Sequence, residues 1–270
     1  MATDNVLEIK NLHTYFYTDG GVIKAVDGVD VKLRRGATLG IVGESGSGKS
    51  VTSLSVMGLL AGTKGKIADG EILLDGDDIV KLTKEQQRKL RGSKISMIFQ
   101  EPMTSLNPVM KIGDQITECI LMHNNISKQE AWDKARSMLE KMRLPDSENI
   151  MKSYPHQLSG GMRQRVGIAI AMTFNPELLL ADEPTSALDV TTQAQIVREM
   201  MELRDRFGTG IIIVTHNLGV AAYMADQLIV MQHGKVVDRG TRDEVMDHPT
   251  SEYTKNLLQS VPELEGRRFV

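Results

Sequence analysis

The sequence predicts an α/β fold in which a parallel sheet covered by helices stands beside an antiparallel β layer and carries an inserted helical subdomain. Three observations carry that expectation. A glycine-rich stretch, Gly43-Glu44-Ser45-Gly46-Ser47-Gly48-Lys49-Ser50, follows the apolar run 38–42 and fits the G-x-x-x-x-G-K-[ST] pattern that joins a strand to a helix around a phosphate. The last third alternates apolar runs of strand length, 178–181 and 211–214, with helix-patterned stretches at 163–174, 191–207 and 218–224, as a parallel sheet with covered faces requires. Between these regions the spacing changes to that of helices.

Taken in chain order, short strand-like runs come first, at 6–12, 21–26, 29–33 and 70–74, the last ending at the turn Asp75-Gly76. Apolar stretches broken by such turn signals read as an antiparallel layer. Ile112, Ile116 and Ile120, then Ala131, Ala135, Met138, Leu139 and Met142, fall three or four residues apart, which is helical periodicity. The expected division is a nucleotide-binding core over 1–99 and 159–245, a helical subdomain at 100–158, and a short C-terminal extension at 246–270. No internal repeat or low-complexity tract interrupts it.

Composition narrows the function classes. The 270 residues are 41% hydrophobic and 25% charged, enough for a sizeable core. The net charge of -3 gives no basic footprint for a nucleic-acid surface, so DNA and RNA are not expected partners. A lone cysteine, Cys119, has no companion for a disulfide or a metal site and suits a reducing compartment. The start of the chain carries acid and lacks a basic, then apolar, export signal. No apolar run nears the ~18 residues that a spanning helix needs, so a membrane role is expected to come through partners. The 16 methionines are scattered over apolar positions and read as adaptable core filler.

The chemistry is concentrated in three phosphate-handling elements. In the first, the glycines let backbone N–H groups form an anion nest at the start of a helix, whose positive end favours phosphate. Lys49 is placed to reach the outer phosphates of a nucleotide and the Ser50 hydroxyl to take a position on Mg²⁺. In the second, the run 178–181 delivers Asp182-Glu183 at the carboxyl edge of a strand, where open α/β sheets bind their ligands. Asp182 is expected to hold the metal and Glu183 to orient and polarise an attacking water. The third is Ser159-Gly160-Gly161, a hydroxyl and two unhindered amides before a helical stretch, fit to cradle a second phosphate. One chain needs only one such outer-phosphate cradle, so the second is expected to serve the nucleotide of a partner subunit.

With these motifs in place, the chain resembles the ATP-binding subunits of ABC transporters over nearly its whole length. The resemblance rests on the loop at 43–50, Leu158-Ser159-Gly160-Gly161-Met162, Asp182-Glu183, Ser186-Ala187-Leu188-Asp189 and His216. It implies an ABC-type P-loop NTPase core, with ATP and Mg²⁺ as cofactors and ATP hydrolysis as the reaction. Glu183, His216, Gln100 and Lys49 are then the catalytic residues. The nucleotide contacts implied are Gly43, Ser45, Gly46, Ser47, Gly48, Lys49, Ser50 and Val51, with Ser159, Gly160, Gly161 and Asp189 acting across a dimer. Ser50, Gln100 and Asp182 are the metal residues. Phe16 is the aromatic expected to stack on adenine, with Tyr15 and Tyr17 flanking it and the register between them open. Met162 departs from the glutamine usual at the end of the signature.

A narrower resemblance, to bacterial importers of dipeptides, oligopeptides and nickel, is carried by Gln100-Glu101-Pro102-Met103-Thr104-Ser105-Leu106-Asn107-Pro108 and by Ser153-Tyr154-Pro155-His156-Gln157 running into the signature. Lys49-Ser50-Val51-Thr52 with Met57-Gly58-Leu59-Leu60 is similar to the first of that subfamily's two ATPase chains. This implies a heterodimer with a second homologous ATPase, seated under two permeases at the cytoplasmic face of the cell membrane and served indirectly by an extracellular substrate-binding protein. The loop 100–108 would help to form a groove for a permease coupling helix. The alternative is a soluble ABC-type ATPase acting on nucleic acid or ribosomes, and the charge balance weighs against it. Tyr253-Thr254-Lys255-Asn256-Leu257-Leu258 resembles the start of a C-terminal extension that in some members reaches an iron–sulfur site; with Cys119 as its one cysteine, this sequence offers no ligand set for a cluster.

Overall fold

Residues 4–101, 105–186 and 188–259 of the chain are described by a computed structural model, together with the backbone of two short strands at Glu263–Leu264 and Arg267–Arg268. Pro102, Met103, Thr104 and Ala187, which fall within the expected coupling loop and the segment 186–189, lie outside the described residues.

A long hairpin opens the chain. β1 (Asn5–Thr18) pairs antiparallel with β2 (Gly21–Arg34) on one side and with β4 (Gly65–Leu74) on the other, and β5 (Asp77–Asp78) completes a four-stranded layer in the order β2-β1-β4-β5. The runs expected as separate strands at 21–26 and 29–33 are one strand. Gly28 adopts a φ of 79° between them, and irregular pairing around Leu12 and His13 absorbs the break without ending the ladder.

The second sheet has the order β10-β9-β3-β8-β7-β6. Its parallel strands are β3 (Thr38–Val42), β6 (Ile95–Ile98), β7 (Leu178–Asp182), β8 (Gly210–Thr215) and β9 (Gln227–Gln232); β10 (Lys235–Thr241) returns antiparallel along β9. Every residue of β3, β7 and β8 is buried, and alternate residues serve opposite faces. Leu179, Ala181, Ile211 and Ile213 join one core cluster, while Leu178, Leu180, Ile212 and Val214 join another with Leu7, Ile9 and Val29 of the antiparallel layer.

Helices fill the connections: α1 (Lys49–Val56), α2 (Lys84–Leu90), α3 (Ile112–His123), α4 (Lys128–Lys141), α5 (Ser147–Lys152), α6 (Gly160–Met172), α7 (Val190–Phe207), α8 (Leu218–Met224), α9 (Arg242–Asp247) and α10 (Glu252–Gln259). Ile112, Ile116, Ile120, Ala131, Ala135, Met138, Leu139 and Met142 are all buried, and the cluster they form continues into Val166 and Ile168 of α6 and the sheet beneath. A third, smaller cluster lies under α10, where Leu258 packs with Val42, Leu218, Ala222 and Val245.

The register fixes the site. Val42 pairs with Thr215, and Asp182 with Val214. The carboxyl ends of β3, β7 and β8 are therefore level, and the residues that follow them, Gly43, Glu183 and His216, leave the sheet side by side.

Candidate active site

The loop between β3 and α1 is shaped by glycines at positions that admit nothing larger. Gly43 has a φ of 147°, and a Cβ there would lie 2.2 Å from the carbonyl oxygen of Met231; Gly48 has a φ of 107°, and its Cβ would lie 2.3 Å from the carbonyl oxygen of Ala25. Backbone from β9 and β2 thus presses on both ends of the loop. The Gly234 amide, in the turn between β9 and β10, donates to the Ser47 carbonyl at 2.9 Å. Gly48 caps α1 through its backbone only, with no side chain accepting from the first-turn amides, whereas Ser159, Asp189 and Asn217 each cap a helix with a side-chain oxygen. Uncapped amides at a helix start are donors for an anion.

Lys49 is buried, and its Nζ donates to the carbonyl oxygens of Gly43 at 2.7 Å and Glu44 at 2.8 Å. Burial pushes its pKa down, against the pull of Glu183, Asp182 and Glu44. The Ser50 Oγ donates to Asp182 Oδ1 at 3.0 Å. Asp182 is 7% exposed, and burial drives its carboxyl above the ordinary aspartate value, with Glu183 adding to the rise and Ser50 and Lys49 opposing it. Ser47 Oγ is buried with no partner among the described residues. A cation, an unpaired hydroxyl and free helix amides around one loop form a cradle for a polyphosphate.

Glu183 sits just past β7 in the left-handed region, at φ 48°, an uncommon conformation for a side-chain-bearing residue that its surroundings must hold. Its amide donates to the Val214 carbonyl at 2.8 Å, extending the strand register by one residue. Its carboxylate oxygens lie 2.8 and 2.7 Å from His216 Nδ1. The Glu183 side chain is 12% exposed and that of His216 63%, so the histidine faces solvent while holding a sheltered carboxylate. This pair can orient a water at the mouth of the loop.

Ser159, Gly160 and Gly161 stand elsewhere. They line a cleft of about 280 Å³ with Met162, Arg165, Leu188, Asp189 and Thr192, to which residues 43–50 contribute nothing. Ser159 Oγ caps α6 by accepting from the Met162 amide at 3.3 Å, and Asp189 caps α7 by accepting from Thr192 at 2.9 Å. That bond to the Thr192 amide holds the Asp189 carboxyl below its usual value. Within one chain this cradle does not complete the loop at 43–50.

Gln100 stands exposed two residues after β6. Of the three neighbouring aromatics, Tyr15 donates its hydroxyl to Asp27 at 2.7 Å and lies 3.0 Å from His13 Nδ1; the bond to Asp27 raises its pKa to about 12. Tyr17 is exposed. Phe16 shares its face of β1 with Thr14, whose hydroxyl is 2.9 Å from Ser55 of α1, and its ring lies against Gly65, where a Cβ would come within 2.8 Å.

Two contacts escaped the sequence reading. Glu44 N donates to Tyr253 Oη of α10 at 2.9 Å, and Asp238 of β10 accepts from the amides of Thr250 at 2.8 Å and Ser251 at 3.1 Å. The first joins residues 209 positions apart and the second residues 12 and 13 apart, and only the resemblance at 253–258 drew attention to that segment.

Comparison with known proteins gives the family of the chain. A family model described as ABC transporter matches residues 26–186. The oligopeptide transport ATP-binding protein AppD of Bacillus subtilis is 52% identical over 261 residues, covering 97% of this chain and 80% of that protein. The dipeptide transport ATP-binding protein DppD of Lactococcus lactis is 49% identical over 267 residues, covering 98% of this chain and 76% of its own length. Among solved structures, the dimeric post-hydrolysis state of the ATP-binding cassette MJ0796 bound to ADP and Pi superposes with a TM-score of 0.78 at 29% identity, over 87% of this chain and 98% of that one.

Proposed function

Because this chain belongs to the ABC transporter family, as an ATP-binding and ATP-hydrolysing subunit, we propose that it is the motor of a bacterial importer of dipeptides or oligopeptides. One observation carries the mechanism: level ends of β3, β7 and β8 gather Lys49, Asp182, Glu183 and His216 at one edge, while Ser159, Gly160 and Gly161 occupy a separate cleft. The loop 43–50 and Val51 hold the phosphates, Lys49 neutralises their charge, and Phe16 stacks on the base. Glu183 polarises the attacking water, and His216 keeps its carboxylate aimed. The adjoining Ser50 hydroxyl and Asp182 carboxylate are hard oxygen donors that suit Mg²⁺; Gln100 is assigned to the same metal. When bound, the ion supplies charge neutralisation at the phosphates.

The cradle at 159–161 and Asp189 act on the nucleotide of a second, homologous ATPase chain, so that two nucleotides are sandwiched in a heterodimer. Moving such a pair from 1:99 to 99:1 closed requires ~5.5 kcal/mol of differential affinity, and charge-assisted contacts from both chains to the phosphates are of that order. Closure is passed to two permease subunits at the cytoplasmic face of the membrane, with an extracellular binding protein delivering cargo. Among the described residues no helix is long and apolar enough to cross a membrane, which fits a peripheral subunit. Relatives named for peptide transport favour this reading over a soluble factor acting on nucleic acid or ribosomes.

The test is to tag Glu183→Gln, trap it with ATP in native membranes and identify what co-purifies. Two multi-span permeases with a second, different ATPase are expected. Ribosomal or DNA-bound partners without permeases would overturn transport and leave the ATPase assignment standing.

A further inference from the structure

We propose that Tyr253, in the C-terminal helix α10, is a positioning residue for the phosphate loop, holding the Gly43-Glu44 peptide group so that its carbonyl presents Lys49 to the nucleotide. The inference rests on the ATP-binding role assigned above to the loop. The Glu44 N–H and the Gly43 C=O belong to one planar peptide group, whose trans geometry points them in opposite directions. On one side Tyr253 Oη accepts from Glu44 N at 2.9 Å; on the other, Gly43 O accepts from Lys49 Nζ at 2.7 Å. A single peptide plane therefore joins α10 to the cation of the site. Gly43, with no Cβ and a φ of 147°, puts little steric limit on how that plane is turned, so its two hydrogen bonds, one to Lys49 and one to Tyr253, set it.

The helix that supplies the hydroxyl is itself fixed. Asp238 Oδ2 accepts from Thr250 N at 2.8 Å and Ser251 N at 3.1 Å, and its Oδ1 accepts from Thr250 Oγ1 at 3.0 Å, at the entry to α10. Tyr253 and Leu257 pack on the cluster that contains Leu258 and Val42, the residue immediately before Gly43, along with Leu218 and Ala222 of α8, which begins two residues after His216. The bond thus acts as a brace from a rigid neighbour. Glu44 N is held by a side chain 209 positions away, and nothing within the loop replaces it.

The test uses the full chain and measures ATP and ADP affinity by calorimetry for the native protein, Lys49→Ala, Tyr253→Phe, Glu44→Pro and the last two combined. Tyr253→Phe keeps the ring in the cluster and removes only the hydroxyl. It is expected to weaken ATP and ADP alike by about three- to tenfold, the factor that corresponds to one neutral hydrogen bond. KM for ATP should rise more than kcat falls, and the nucleotide-free melting temperature should drop by no more than a few degrees, the loss of one hydrogen bond. In the Glu44→Pro background, which lacks the N–H, Tyr253→Phe should have no further effect. Native affinity in Tyr253→Phe, or an undiminished effect in that background, overturns the proposal. A native chain that binds neither nucleotide through Lys49 instead overturns the ATP-binding reading on which it stands.

Discussion

Replacing Gly161 by alanine tests whether the second cradle works as a unit with α7. A Cβ at Gly161 would lie 2.7 Å from Thr192 Cγ2, whereas carbon atoms in contact settle at about 3.5–4.0 Å. The deficit is close to 1 Å. Thr192 cannot yield freely: it is β-branched within α7, and its amide is the one that Asp189 Oδ1 caps at 2.9 Å. Relief must come from moving the start of α6 away from α7, a local overpacking that costs about 1–3 kcal/mol. At about 2–4 °C per kcal/mol for a domain of this size, melting should fall by several degrees. The functional loss should be larger, because displacing positioned groups by ~1 Å can cost ~10² in rate. Phosphate release by the assembled ATPase pair should drop by about that factor, while ATP binding to the isolated chain, whose loop at 43–50 does not line this cleft, should be unchanged. Adding Thr192→Ser removes the clashing methyl and leaves the cap, so the double variant should recover most of both losses. Native turnover and melting in Gly161→Ala, or a double variant no better than the single one, would refute the reasoning.

Three further outcomes follow from the loop and the sheet edge. Glu183→Gln keeps a group that can still accept from His216 but abolishes the base, so kcat should fall by ~10²–10⁴ with ATP affinity retained; native turnover would sink that role. Asp182→Asn should raise the nucleotide-free melting temperature at pH 7 and impair Mg-ATP binding. The sign follows from burial, which lifts the Asp182 pKa above its ordinary value of 3.8, so ionisation above that pKa weakens the fold and the gain should vanish as the pH falls towards 3.8. An Asp182→Asn chain less stable than native at pH 7 would contradict it. Gly48→Ala sets a Cβ 2.3 Å from the Ala25 carbonyl at a φ of 107°, and calorimetry should find nucleotide binding lost.

What was legible in the sequence was what is local. The loop at 43–50 is readable because its shape is made by its own glycines and its helix, and β7 announces itself as an apolar run ending in two carboxylates. The non-local parts were not legible. Four-residue β6 includes the buried polar Ser96, too short a pattern to separate from its surroundings. The β9–β10 hairpin had a signal in His233-Gly234, a turn with both residues at positive φ, but its role, pressing Met231 and Gly234 backbone against the phosphate loop, exists only after folding. Tyr253 is the extreme case: a helix-face aromatic whose hydroxyl reaches Glu44 cannot be told by spacing from one that simply packs. The choice among Tyr15, Phe16 and Tyr17 was open for the same reason. Tyr15 is engaged by Asp27 on β2 as well as by His13 on its own strand, and Phe16 lies against Gly65 on β4.

Two buried charges set what the loop at 43–50 is suited to bind. Lys49 is pushed toward its neutral form and Asp182 toward its own, both by burial, so ionising either works against the fold until charge arrives to match it. On the proposed reading a polyphosphate answers Lys49 and a divalent cation answers Asp182, so that their joint binding relieves both. Until then the loop's own carbonyls hold the lysine cation, Gly43 O at 2.7 Å and Glu44 O at 2.8 Å from Lys49 Nζ. Main-chain groups of β2 and β9 against Gly48 and Gly43, the Gly234 amide on Ser47, and the Tyr253 hydroxyl on Glu44 hold the loop in the shape that makes those contacts. The cradle at 159–161 is built on α6 and α7 instead and shares none of these braces. The loop at 43–50 and the cradle at 159–161 do not line one cleft, and it is on that separation that the proposed sandwich of a nucleotide between two chains rests.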